Sequence, residues 1–145
     1  MKKGLFVFTL LLGACLLIAA GKGNEHRVFS EKSVRGSYGF SFQGEILGVG
    51  PVAAVGVLEA NGRGDITDAS RTINISGIKF EQTFTCTYSV NPDGTGSAVC
   101  PLDEPLPDGA PAVETFDFVL IDNAKGFQFV GTTPGIVVLG TGTKQ

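Results

Sequence analysis

The chain has 145 residues, of which 11 are basic and 14 acidic, so its formal net charge is −3. Glycine is abundant at 21 residues, phenylalanine is frequent at 11 and tryptophan is absent, a composition typical of an all-β domain with many tight turns. This composition excludes a disordered chain. The lack of grouped Lys and Arg excludes nucleic acid as an expected partner, because phosphate contacts need clustered positive charge.

The first 20 residues are typical of a secretory signal. Lys2 and Lys3 precede an apolar run over 4–20 that ends in small residues, which is the order found in a signal peptide. We therefore predict a signal peptide at 1–20 and export to the periplasm or the medium. Without the two lysines, nine basic and 14 acidic side chains remain, so the mature net charge is −5.

Cys15 gives the leader a second interpretation. Leu12-Gly13-Ala14-Cys15 fits a bacterial lipobox, in which the cysteine is lipidated and anchors the protein to a membrane. However, the apolar run continues over 16–20, whereas lipoproteins usually turn polar at this point, so cleavage after Ala20 is the preferred prediction. A retained spanning helix is disfavoured, because 17 apolar residues are at the bottom of the spanning range.

The rest of the chain has room for one domain. Residues 21–33 are polar and lack periodicity, which predicts a flexible lead-in, and 34–145 predict a single β-barrel domain. The first strand falls within 36–44, where Tyr38, Phe40 and Phe42 alternate with small or polar residues. Further strands are predicted over 52–60, 65–75, 79–90, a segment ending at Cys100, 113–121, 127–132 and 136–141.

A hairpin brings the two remaining cysteines together. The strand over 79–90 alternates cleanly, and 91–96 is a strong turn signal. If the hairpin centres on Asp93, Cys86 faces Cys100 across the two strands. This register predicts a disulfide in an exported domain, and the alternative, after a slip in register, is two free buried thiols.

Eight meandering antiparallel strands predict an all-β, up-and-down barrel, which has no exposed sheet edge. A barrel of this size is either just filled by side chains or holds one small ligand. The residues predicted to face inward are largely aromatic: Tyr38, Phe40, Phe42, Phe80, Phe84, Tyr88, Phe116, Phe118, Leu120, Phe127 and Phe129.

Several kinds of chemistry are disfavoured by the residues. His26 is the only histidine and lies in the predicted lead-in, so neither a metal site nor a Ser-His-Asp triad is expected, and no cofactor is predicted. Asp103, Glu104 and Asp108 share a proline-rich loop over 101–111, and their spacing is that of a solvated acidic loop rather than a calcium site.

The remaining candidates for functional residues are polar side chains on the same strand faces as the aromatic residues. Glu114 shares a face with Phe116, and burial among rings would favour a neutral carboxyl that acts as an acid or a hydrogen-bond donor. In the alternative interpretation, Glu114 lies at a strand end in water. Arg71 is a candidate partner, but its strand alternates too poorly to assign a face. The full candidate ligand-binding set is Tyr38, Phe40, Phe42, Gln82, Phe84, Tyr88, Glu114, Phe116 and Phe118.

Three segments together resemble a known group of proteins: Gly36 to Phe40, Ala54 to Leu58 leading into Asn61-Gly62-Arg63-Gly64, and Tyr88 to Gly96. They look like small exported bacterial β-barrel proteins of unknown function, and the overall plan is similar to the calycin (lipocalin-like) and allene oxide cyclase-like barrels. The resemblance implies a fold and no activity. The Gly-x-Trp of lipocalins is missing, since the chain has no tryptophan.

Three functions remain open at this point. The first is a non-enzymatic module that binds a small apolar or aromatic ligand in the barrel. The second, which the cyclase-like resemblance suggests, is a cofactor-free cyclase or isomerase. The third is a structural or interaction protein with a filled barrel. An open cavity with Glu114 and a tyrosine on its wall would favour the first two, and a filled interior would favour the third.

Overall fold

A computed structural model describes residues 27–104 and 111–145 of the chain. These residues form an all-β domain in which eight antiparallel strands close into a barrel in sequence order, as predicted. The predicted signal peptide, Cys15, His26 and Asp108 lie outside the described residues. The strands are β1 (Arg35–Ile46), β2 (Gly50–Asn61), β3 (Asp65–Ile75), β4 (Ile78–Val90), β5 (Thr95–Pro101), β6 (Val113–Ile121), β7 (Gly126–Gly131) and β8 (Ile136–Lys144).

Alternation along each strand decides which side chains fill the barrel. In β1, Tyr38, Phe40 and Phe42 are buried, whereas Ser37 and Ser41, which alternate with them, are exposed. All of the aromatic residues predicted to face inward belong to one core cluster, either buried or packed against it. The aromatic positions of the sequence therefore predicted the core correctly.

The barrel closes where β1 meets β8, and two glycines of β8 leave room for core rings of the neighbouring β7. Gly140 and Gly142 of β8 lie opposite Phe129 and Phe127 of β7. A Cβ atom at either glycine would overlap the ring of its phenylalanine neighbour. The missing side chains on β8 thus give two core rings their space inside the barrel.

A β-bulge interrupts the alternation of β3. The pairing of β3 with β4 shifts between Ile66 and Ala69, and the intervening Thr67 and Asp68 are both exposed. Before the bulge, the even-numbered Ile66 packs against the core. Because of the extra residue, the odd-numbered positions from 69 onward face the interior instead. Arg71 consequently points into the barrel, which the sequence pattern had left unassigned.

The hairpin of β4 and β5 has the predicted register. Val90 pairs with Gly96 and Tyr88 with Ala98, and Cys86 and Cys100 form a disulfide with a Cα separation of 4.2 Å. The predicted disulfide is therefore confirmed, and the alternative of free thiols is wrong. A bonded cysteine pair indicates an oxidising compartment.

The two ends of the barrel differ. At the polar end, where β1, β3, β5 and β7 begin, the loops over 62–64, 91–94 and 122–125 each contain charged residues. At the opposite end, where β2, β4, β6 and β8 begin, the loops over 47–49, 76–77 and 132–135 contain none, but the connection between β5 and β6 at this end carries Asp103 and Glu104. No helix among the described residues is long and apolar enough to cross a membrane.

Residues 27–34 lie across the polar end. The Phe29 amide donates to the Pro92 carbonyl at 3.0 Å, and the Glu31 carboxylate accepts from the Val90 amide at 3.1 Å. Bonds from its own amide and from that of Val90 lower the pKa of Glu31. The described part of the predicted lead-in is therefore held against the barrel.

Two buried tyrosine hydroxyls bond to backbone carbonyls of segments at the polar end. The Tyr88 hydroxyl donates to the Val34 carbonyl at 2.8 Å, and the Tyr38 hydroxyl donates to the Ala124 carbonyl at 3.0 Å. Burial raises the pKa of both tyrosines. Both candidate hydroxyls thus have backbone partners at the polar end.

Candidate functional site

A charged cluster centred on Arg71 lies in the interior of the barrel. Its Nη1 and Nη2 atoms donate to the two carboxylate oxygens of Glu114 at 2.7 and 2.8 Å. Its Nε atom donates to Oε1 of Gln82 at 2.8 Å. Arg71 on β3 thereby forms a bidentate ion pair with Glu114 on β6 and a hydrogen bond with Gln82 on β4.

This cluster is buried. Arg71, Gln82 and Glu114 are 4%, 7% and 5% exposed. The guanidinium carbon of Arg71 lies 5.1 Å from the ring centre of Phe84 and 5.6 Å from that of Phe42, so the positive charge is placed between two aromatic faces. Among the described residues, every buried side-chain nitrogen and oxygen has a hydrogen-bond partner.

The geometry decides between the two interpretations of Glu114. Its carboxylate is buried, so its placement in water at a strand end is wrong. Both oxygens accept hydrogen bonds from Arg71, which is the bonding of an ionised carboxylate and leaves no proton to donate. The arrangement is therefore that of a structural ion pair, and it gives no support to an acid at this position.

The rest of the interior is filled almost completely by aromatic rings. Phe129 contacts Phe42 and Phe116 edge to face, with ring centres 6.2 and 5.4 Å apart, and Phe40 contacts Phe84 in the same way at 6.4 Å. An apolar cavity of about 90 Å³ remains between the rings. Ligand pockets usually measure about 300–1,000 Å³, so this void is small.

The structure divides the candidate residues into three groups. Six line the cavity, two belong to the charged cluster, and Tyr38 lies at the polar end. The cavity wall is mostly apolar but includes Arg71, whereas neither Gln82 nor Glu114 is part of it. The six that line the cavity are Phe40, Phe42, Phe84, Tyr88, Phe116 and Phe118.

Arg71 and Val34 are among the members of these sites that sequence reasoning did not place. Arg71 was considered as a partner of Glu114, but no face could be assigned before the bulge at 66–69 was known. Val34 lines the cavity from the segment that crosses the polar end. Its burial depends on the tyrosine hydroxyl bond to its carbonyl, a long-range contact that a strand pattern does not contain.

The outer wall has a shallow open groove of about 880 Å³ over β8 and β1 to β4. Small outward-facing side chains form most of its wall, and cross-strand pairing aligns Thr141, Ser41, Val55 and Thr72 in one row. No group of three or more potential metal ligands occurs in 27–104 and 111–145. Arg71 and Gln82 of the charged cluster, together with Glu81 and Glu104, also line the groove, which is therefore a polar, hydroxyl-rich surface open to solvent.

Fold and interior together define a closed eight-stranded antiparallel barrel with a packed aromatic core, consistent with a calycin-like barrel. Comparison of the chain with protein-family models, with curated proteins and with solved structures finds no match.

Proposed function

We propose that this chain is a non-enzymatic, exported interaction protein whose barrel interior is a packed core and whose partners contact the outer surface. The observation that carries this proposal is the filled interior, with a void of about 90 Å³ whose wall excludes the only buried carboxylate among the described residues. A reaction or a specific ligand needs placed polar groups that face the bound molecule. Here Arg71, which borders the void, bonds to Gln82 and Glu114, and the Tyr88 hydroxyl bonds to the Val34 carbonyl.

Export is part of the proposal. The disulfide between Cys86 and Cys100 persists in an oxidising compartment, and the leader over 1–20 supplies a route to one. Release after cleavage at Ala20 is preferred, and a lipid anchor on Cys15 is the alternative. The resemblance to small exported bacterial barrels supports the same location.

A second candidate function is the binding of a small apolar molecule in the cavity. The observation that favours it is the void itself, because close-packed interiors contain few voids larger than a water molecule. An apolar cavity of this kind stays dry and admits small hydrocarbons. A volume of about 90 Å³ limits the molecule to about one ring without movement of the core.

Native mass spectrometry separates the two functions. The protein is purified from the cells that export it and measured intact, before and after denaturation. An interaction protein gives the mass of the chain or its assemblies, without a small-molecule adduct. An adduct of low mass that disappears on denaturation overturns the proposal in favour of the second candidate.

Titration with benzene and cyclohexane, followed by two-dimensional NMR, provides the matched control. Ala98 lines the void, so Ala98→Val reduces its volume without a change in charge. The proposal expects no saturable shifts in either protein at sub-millimolar hydrocarbon. Saturable shifts that Ala98→Val removes contradict it.

Photo-crosslinking tests the interaction role directly. A photoreactive residue is placed at exposed apolar positions around the barrel, Val28, Leu47, Val55, Val119 and Val130, and the protein is expressed in its producing cells. At least one position is expected to give a reproducible protein adduct. Absence of adducts at all five contradicts an interaction through the described surface.

A further inference from the structure

The polar end carries most of the exposed positive charge of the described residues. Six of the seven exposed basic side chains in 27–104 and 111–145 lie there, in the segment over 27–34, in a loop or in the outermost two residues of a strand. They are scattered along the sequence, so the fold groups charges that the sequence keeps apart. The six are Arg27, Lys32, Arg35, Arg63, Lys125 and Lys144.

Four of these cations form a row across the end of the barrel. The Arg35 side chain lies against Gly62, the residue before Arg63. The Lys144 side chain lies against the glycine that follows Arg35, and the Lys144 amide donates to the Lys125 carbonyl at 2.7 Å. The row therefore runs from Arg63 through Arg35 and Lys144 to Lys125.

None of the six cations has an acidic partner within the part of the chain that the structure describes. The ion pairs found there join Arg71 to Glu114 and Lys79 to Glu81. Long basic side chains without a partner extend their charged groups into water. The charges at the polar end are therefore available to an anionic partner outside the molecule.

The carboxylates at the polar end are fewer, and most are held by neighbouring groups. Six basic side chains stand against four acidic ones, a balance of +2. Three of the four accept hydrogen bonds from groups beside them, which keeps them close to the barrel. Glu59 and Asp68 are exposed further along the wall. The four at this end are Glu31, Asp65, Asp93 and Asp122.

The opposite end has the reverse balance. Counted in the same way and without the buried Glu114, its described charged side chains are Lys79 against Glu45, Asp103 and Glu104, a balance of −2. The barrel therefore has a charge asymmetry along its axis. Such an asymmetry turns the polar end toward a negative surface, although the net charge of the whole chain is negative.

Two further features indicate that this negative surface is a lipid membrane. Val28, beside Arg27, is 74% exposed, and an apolar side chain among cations is typical of segments that bind at a lipid interface. The chain also enters the barrel at this end, because residues 1–26 precede Arg27. A lipid on Cys15 would be twelve residues from Arg27, a reach of about 40 Å when fully extended.

We propose that the polar end of the barrel docks on an anionic lipid surface through this row of cations. The proposal goes beyond the protein contacts proposed above and does not depend on them. Each Lys or Arg near such a surface strengthens binding about fivefold, so several together give a reversible attachment. The released protein and a form anchored through Cys15 would present the same end to the membrane.

Vesicle flotation of the mature chain over 21–145 tests the docking. Vesicles of phosphatidylcholine with added phosphatidylglycerol are expected to carry the protein, whereas vesicles of phosphatidylcholine alone are not. Added salt is expected to release the protein, because a higher ionic strength screens exposed charges.

Single substitutions assign the binding to the polar end. Arg63→Gln and Lys125→Gln each remove one exposed charge from the row, and each is expected to weaken binding to anionic vesicles about fivefold. Lys79→Gln removes the same charge at the opposite end and is the matched control, with unchanged binding expected. Circular dichroism checks that all three variants are folded, which is expected because all three side chains are exposed.

The absence of tryptophan from the chain allows a second readout. Val28→Trp and Leu47→Trp each place a single tryptophan at an exposed position, the first at the polar end and the second at the opposite end. On addition of anionic vesicles, the fluorescence of Val28→Trp is expected to shift to shorter wavelength. The fluorescence of Leu47→Trp is expected to stay unchanged.

Absence of binding to anionic vesicles, or equal binding to phosphatidylcholine alone, overturns the proposal. An equal loss of binding in Lys79→Gln and Arg63→Gln also overturns it, as does a shift for Leu47→Trp without one for Val28→Trp. Binding to soluble polyphosphate by a protein that does not bind vesicles assigns the row to a soluble polyanion and likewise overturns the docking. Protein crosslinks at the outer wall are a separate result, so the two proposals fail independently.

Discussion

Arg71 and Glu114, 43 residues apart, meet inside the barrel through two nearly parallel hydrogen bonds of 2.7 and 2.8 Å. Two opposite charges that are both removed from water stabilise a fold only as a pair, because each alone has lost its hydration. The pair therefore links β3 to β6, and removal of either side chain alone is expected to destabilise the fold.

Glu114→Gln is expected to lower the free energy of unfolding by about 3–5 kcal/mol, since it leaves the Arg71 charge buried without a counter-charge. Chemical denaturation measures the change. Glu81→Gln is the control and is expected to change the stability little, because Glu81 pairs with Lys79 at the surface, where water screens the two charges.

A triple variant with apolar residues at the cluster, Arg71→Met with Gln82→Leu and Glu114→Leu, tests the same argument from the other side. It is expected to be more stable than Glu114→Gln, because no buried charge is left without a partner. A triple variant with a lower free energy of unfolding than Glu114→Gln would contradict this argument, because loss of the whole cluster would then cost more than an unpaired Arg71 charge.

Part of this architecture was predictable and part was not. The aromatic alternation of β1 and β4 and the turn at Asp93 determine strand faces and the cysteine register through local rules, so both were predicted correctly. The face of Arg71 was not, because it depends on a bulge at 66–69 that adds one residue to the count.

The candidate site was harder to predict for a similar reason. Inward-facing residues were identified correctly, but the volume they leave depends on how rings from opposite walls interlock. The backbone partners of Tyr38 and Tyr88 likewise come from segments distant in sequence. Periodicity indicates which face a side chain occupies and gives no information on what it meets there.

The disulfide is expected to contribute about 3 kcal/mol to the free energy of unfolding, because it closes a loop of 14 residues in the unfolded chain. A double variant, Cys86→Ala with Cys100→Ala, should lose about this amount in chemical denaturation. Addition of reductant should destabilise the wild type and leave the double variant unchanged. Equal stability of the wild type with and without complete reduction contradicts the prediction.

Glu31 is expected to make the closure of the polar end dependent on pH. Its pKa in the folded protein lies below the ordinary value of 4.5, so the stability it contributes is present above that value and is lost as the pH falls through the folded pKa. Glu31→Gln should therefore lower the melting temperature at pH 7, and this difference should shrink as the pH falls below 4.5 and be lost below the folded pKa.

Hydrogen exchange at the Val90 amide, which donates to the Glu31 carboxylate, adds a local readout. Exchange should be faster in Glu31→Gln at pH 7. Unchanged exchange and an unchanged melting temperature would show that this contact does not hold the segment over 27–34.

The interior void is expected to make the protein easier to stabilise. A cavity of about 90 Å³ corresponds to about 2 kcal/mol of lost packing at 24 cal/mol per Å³. Ala98→Val adds two carbons at its wall and should raise the free energy of unfolding by about 1 kcal/mol. Ala54→Val, inside the barrel but away from the void, is the control and should lower it by about 1 kcal/mol or more.

The pairing of β1 with β8 imposes an order on how the barrel is made. Their paired residues, such as Tyr38 and Lys144, are separated by roughly a hundred residues of chain, so this seam is the costliest contact to close. Until 136–144 have left the ribosome, β1 and β7 each present an unpaired edge. Loss of the pairing made by 136–144 would therefore expose two sheet edges at once, and unpaired edges are where one chain can pair with another.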